Sequence, residues 1–94
     1  MYVIIRQKSF EKSFKRLKNS GRKADIIKLQ EIVKLLELGR RLPISCLDHE
    51  LVGDLTGTRE CHVRGDLLLM YKRYDDVLIL ILVDVGSHHE LLGS

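Results

Sequence analysis

The sequence predicts an α+β fold in the order β-α-α-β-β-β, with both helices packed on one face of an antiparallel sheet. Three observations carry this expectation. Apolar residues recur at helical spacing through the first 38 residues, whereas from residue 58 onward they alternate or run together as in strands. Turn chemistry at 64–66 and 75–76 leaves only short connections between the later strands, and short connections impose antiparallel pairing. Two amphipathic helices then need one sheet face to cover, and the other face is left partly open as a platform for a ligand.

The elements follow in chain order. Residues 2–6 form a β-branched run and read as a strand. Ser9 is placed to cap a helix whose apolar residues Phe10, Phe14 and Leu17 fall on one stripe, with Lys8, Lys12, Lys15, Arg16 and Lys18 on the other faces. Asn19, Ser20 and Gly21 end it. A longer helix over 22–38 buries Ile26, Leu29, Val33 and Leu36, and Ile27, Ile32 and Leu35 widen the stripe. Gly39 caps that helix and Pro43 prevents its continuation. Residues 46–57 are irregular. A strand over 58–63 places Thr58, Glu60 and His62 on one face, a turn follows at 64–66, and further strands span 67–74 and 77–83. Apolar residues on both faces of the last strand predict a central position, and 84–94 reads as a turn or short extension.

Ninety-four residues fit a single domain over 1–94. With 45% hydrophobic and 31% charged residues the composition is that of a folded chain, which argues against disorder. The longest apolar run, 77–83, falls well short of the roughly 20 residues needed to span a bilayer, so no membrane association is expected. The N-terminal residues lack the features of a signal peptide, which makes the expected compartment the cytoplasm. Cys46 and Cys61 lack CxxC spacing and are expected as free thiols in or near the core.

Charge is divided unevenly. Residues 1–41 hold 12 Lys or Arg against 4 Asp or Glu, a balance of +8; residues 42–94 hold 4 against 9, a balance of −5. The first half suits a polyanion, and Lys12, Lys15 and Arg16 are its candidates for holding an RNA backbone without reading sequence. All four histidines lie in the second half. Taken singly, His49 in a loop, His62 at a strand end, Asp66 in a turn and His88 near the C-terminus each have an ordinary surface reading. Topology makes them a group. The turn at 64–66 brings His62 and Asp66 to one sheet edge, His88 follows a strand end level with Asp66, and His49 leads into the first strand of the set.

Imidazole titrates near pH 6.5 and can both give and take a proton at neutral pH. RNA carries its own nucleophile, the 2′-hydroxyl, so its cleavage needs a base, an acid and cations around the phosphate, with no cofactor. Acid–base help is worth roughly 10²–10⁴-fold. The same four side chains could instead hold Zn²⁺, although a compact zinc motif such as HExxH is absent.

The segments Asp48-His49-Glu50-Leu51-Val52-Gly53, Gly57-Thr58-Arg59-Glu60-Cys61-His62-Val63, Asp66-Leu67-Leu68-Leu69-Met70-Tyr71 and Gly86-Ser87-His88, with Glu90-Leu91, resemble the YafQ-type toxins of the RelE/ParE superfamily. The likeness covers nearly the whole chain and implies a RelE-like fold. It further implies a metal-independent endoribonuclease that cuts messenger RNA, typically on the ribosome, through the 2′-hydroxyl. The cognate partner would be a DinJ- or RelB-like antitoxin, with operator DNA bound only through the toxin–antitoxin complex. Family functional positions fall on His49, His62, Asp66 and His88: His88 as general acid, Asp66 as base or orienter, His49 and His62 at the phosphate.

The chain also departs from its relatives. Asp84 stands where many carry an Arg four residues before the terminal histidine, so phosphate charge would fall to Arg59, Arg64, Lys72 or protonated histidines. Gly65 replaces a common proline, and Leu92 a frequent aromatic. Two other readings use the same fold: a gyrase-poisoning ParE-like toxin, and a weakened toxin that serves as an antitoxin-binding module.

Overall fold

Alternation along the strands decides which side chains meet the helices. In the computed structural model, which describes residues 1–93, the elements are β1 (Val3–Arg6), α1 (Lys8–Asn19), α2 (Lys23–Glu37), β2 (His49–Glu50), β3 (Arg59–Arg64), β4 (Leu67–Tyr74), β5 (Ile79–Ser87) and α3 (His88–Leu92). Cys61 and Val63 of β3, Leu67, Leu69 and Tyr71 of β4, and Leu80, Leu82 and Val85 of β5 turn to one side. There they pack against Phe10 and Leu17 of α1 and Leu29, Ile32 and Leu36 of α2. The α+β architecture with two main helices on one sheet face is therefore as expected. Cys46 and Cys61 are buried free thiols, and burial pushes the Cys61 thiol well above its usual range, so it is chemically quiet.

The sheet has five strands in the order β1-β5-β4-β3-β2. Antiparallel pairing holds from β2 to β5, but β1 joins β5 in parallel, so the sheet is mixed. Tight hairpins occupy both sides of β4, leaving the free edge of β5 as the place where β1 can pair. The strand β5 is thereby internal, in keeping with its apolar content.

Several boundaries differ from the sequence expectation. Ser9 does not cap α1; Gln7 occupies that position without a side-chain bond, while the Ser9 hydroxyl donates to the Val83 carbonyl at 2.5 Å and ties α1 to β5. The stripe of α2 is narrower than predicted, with Ile27 57% exposed. Val77 and Leu78 belong to the turn, not to the strand: Tyr74 pairs with Ile79, and Leu78 takes a left-handed φ of 55°. The irregular segment contains two 3-10 turns, Ile44–Cys46 and Gly53–Leu55, as well as β2. The expected terminal turn is instead four more residues of β5 followed by α3. Among the described residues, no helix is long and apolar enough to cross a membrane.

Candidate active site

The face that α1 and α2 leave uncovered carries His49, Glu60 and His62. On β3, Glu60 and His62 point away from the core because Cys61 and Val63 point into it. Ladder pairing extends this face sideways. His49 on β2 stands opposite Glu60, Glu60 opposite Met70, and Met70 opposite Asp84; one step along, His62 stands opposite Leu68 and Leu68 opposite Gly86. His49 and His62 thus flank Glu60, the one directly across the ladder and the other two residues along the strand.

His49 is oriented through one ring nitrogen. Its Nδ1 lies 2.6 Å from the Leu47 carbonyl, which can only accept, so Nδ1 carries the proton there. Its Nε2 lies 3.9 Å from Glu60 Oε1. Leu47 holds its carbonyl in this place with a left-handed φ of 50°, a conformation that costs a non-glycine residue roughly 1–2 kcal/mol. Glu60 is only 3% exposed, and its Oε2 has no hydrogen-bond partner among the described residues. A buried carboxylate oxygen without a partner is costly, and such groups concentrate where a substrate or proton is handled. The sequence reading placed Glu60 on the histidine face without giving it a role. That it shares a face with His62 was legible in the alternation; its pairing with His49 and its burial were not.

A second group forms at the far end of the sheet. Gly65 and Asp66 make the two-residue turn between β3 and β4, with Gly65 at φ 55°. Leu67 pairs with Ser87, so Asp66 precedes and His88 follows one ladder pair. His88 opens α3, whose start is a capping box: Glu90 N–H donates to Ser87 Oγ at 3.1 Å and Ser87 N–H to Glu90 Oε1 at 2.7 Å. These bonds, the backbone one first, hold the Glu90 carboxyl below the usual carboxylate range. The Ser-x-x-Glu signature at 87–90 could have announced this helix. Gly86 is needed beneath it, since an added Cβ would lie 3.1 Å from Glu90 Oε1.

Beside this end lies a groove of about 720 Å³, lined among others by Arg16, Arg22, Arg64, Asp66, Ser87 and Glu90. Two of the expected RNA-binding residues, Arg16 and Arg64, reach it. Each has an acidic neighbour: Arg16 at 3.9 Å from Glu90, Arg64 at 3.0 Å from Asp25. Arg59 is engaged by Asp48 at 3.2 Å. Lys72 is half-buried on β4. Lys12 and Lys15 are exposed on α1, within the helix layer on the opposite side of the sheet from His49 and His62. The four expected catalytic residues accordingly fall into two pairs, His49 and His62 beside Glu60, and Asp66 and His88 flanking one ladder pair at the far end of the sheet. Among the described residues, no three His, Cys, Asp or Glu side chains converge closely enough to hold a metal ion.

Residues 2–93 match the model of the family described as the bacterial toxin of type II toxin–antitoxin systems, YafQ. A Haemophilus influenzae protein of that name is 52% identical over 31 residues, a match spanning 33% of this chain and 30% of that relative. Among solved structures, a metal-bound toxin from Helicobacter pylori is 38% identical, with a TM-score of 0.87 over 98% of this chain and 100% of that one. The DinJ–YafQ complex of E. coli contains a chain 30% identical, with a TM-score of 0.86 over 99% of this chain and 100% of that one.

Proposed function

The chain belongs to the YafQ family of bacterial type II toxin–antitoxin toxins, and from that premise we propose that it is a metal-independent endoribonuclease cutting messenger RNA on the ribosome. The observation that carries the proposal is the alignment of His49, Glu60 and His62 on the uncovered sheet face, with Asp66 and His88 flanking one ladder pair at its end. Asp66 draws the proton from the 2′-hydroxyl or orients the group that does. His88 protonates the departing 5′-oxygen, while His49 and His62 bind the phosphate, leaving a cyclic phosphate and a 5′-hydroxyl. Arg64 and Arg16 at the groove hold the flanking backbone, and Lys72 and Arg59 add positive charge. The chain works in the cytoplasm, and a DinJ- or RelB-like antitoxin neutralises it; operator DNA is bound only by that complex.

The test is induced expression in a bacterial host with mapping of messenger RNA 5′ ends, comparing wild type with a His49→Ala, His88→Ala double variant. New in-frame cuts with wild type alone are expected, and purified toxin should keep cutting after excess chelator once ribosomal magnesium is restored. Growth arrest without cuts would move the target to gyrase or another partner. A second reading, a weakened toxin that survives as an antitoxin-binding module, is favoured by Asp84. Its carboxylate shares the ladder row of Glu60 and accepts a hydrogen bond from Val85 N–H at 2.8 Å.

A further inference from the structure

We propose that Asp48, Arg59 and Tyr71 form a positioning device for His49, a polar fastener on the helix side of the sheet that sets the imidazole on the other side. The proposal rests on the ribonuclease reading for its effect on rate, but its structural half stands apart from that reading.

The strand β2 is two residues long and lies at the sheet edge, where backbone pairing alone holds a segment weakly. Side chains must supply the rest. Asp48 Oδ1 accepts the Tyr71 hydroxyl at 2.6 Å and Arg59 Nε at 3.2 Å. Arg59 and Tyr71 are themselves ladder partners, so both donors rise from the same side of the sheet, and Tyr71 is 1% exposed within the core. Successive residues of an extended chain point to opposite faces. Pinning Asp48 from below therefore fixes the next residue, His49, above, where the Leu47 carbonyl completes its orientation.

Packing alone does not call for this hydroxyl, since a phenylalanine ring would fill the same core space. Burial first, and then the bond to Asp48, pushes the Tyr71 phenol far above its usual range, so it stays a neutral donor at every working pH. Burial pulls the Arg59 guanidinium down, but its hydrogen bond to Asp48 and that carboxylate's charge push it back up, and it stays charged. The two donors that hold Asp48 thus keep their protons.

The experiment compares wild type, Tyr71→Phe, Asp48→Asn and His49→Ala, reading ¹⁵N shifts of the His49 ring and single-turnover cleavage of a short messenger on programmed ribosomes. In folded Tyr71→Phe the ring nitrogens should move from the single Nδ1–H tautomer toward a mixture. Its maximal cleavage rate should fall by roughly tenfold to a hundredfold, the scale of an ångström-level misplacement, with the half-saturating ribosome concentration within about twofold of wild type. If Tyr71→Phe does not fold, Asp48→Asn is read in its place. Unchanged ring shifts and rate would overturn the proposal. If His49→Ala cleaves like wild type, or wild type does not cleave, the ribonuclease reading of His49 fails and the ring shifts alone decide the fastener.

Discussion

Glu60 and Asp84 show how a single residue can set the charge of a site. Both carboxylates occupy the ladder row through Met70, on the part of the molecule proposed to receive a phosphate. A negative group there repels substrate and offers no donor to it. Replacing Asp84 by Arg removes that repulsion and adds a charge-assisted hydrogen bond, worth roughly 1.5–3 kcal/mol. The expected result for Asp84→Arg is a cleavage rate at least about tenfold higher, checked by single-turnover assay; an unchanged rate would place the phosphate away from this row. Histidine identities and their order along the chain were readable from the sequence. The left-handed Leu47 and the unpartnered Glu60 oxygen were not, because each depends on neighbours brought in from another strand.

At the scale of elements, α3 is the clearest case of a short segment held by a few polar bonds. Glu90 carries both the capping box and the 3.9 Å contact to Arg16 on α1. Its folded-state carboxyl sits below the usual range, so it contributes stability that is present above the unfolded value and lost as pH falls through the folded one. The helix should therefore stay in place at neutral pH and fray only as acid protonates Glu90. Amide exchange at Ser87 and Glu90 followed from neutral pH into acid would show it, and fraying already present at neutral pH would contradict it. Ser87→Ala should cost the cap about 1 kcal/mol and lower cleavage through the His88 that opens the helix. The outer strands follow the same logic of local support: β1 and β2 are short and sit at the edges, each tied by side chains or backbone bonds to the segment beneath.

Across the whole molecule, labour is divided between the two sides of one sheet. The basic first half supplies α1 and α2, and the acidic second half supplies four of the five strands and every histidine. Leu69 and Leu80 are fully buried where the two halves meet. Leu69→Ala should cost about 2–5 kcal/mol, a large share of the ~5–15 kcal/mol typical of a folded domain. Chemical denaturation would measure it; a loss under about 1 kcal/mol would mean that the helices do not bear on that strand as described.

The sequence by itself determined the α+β class, the helix stripes, the central place of β5 and the residues from which a site could be made. Those features depend on local periodicity and on residue chemistry, both of which are written along the chain. Only the tertiary structure decided that β1 runs parallel to β5, that His49 pairs across from Glu60, and that Arg59 serves Asp48. Strand order, burial and the partner of a charged group are properties of residues far apart in the chain, and no local pattern specifies which of several available neighbours will arrive.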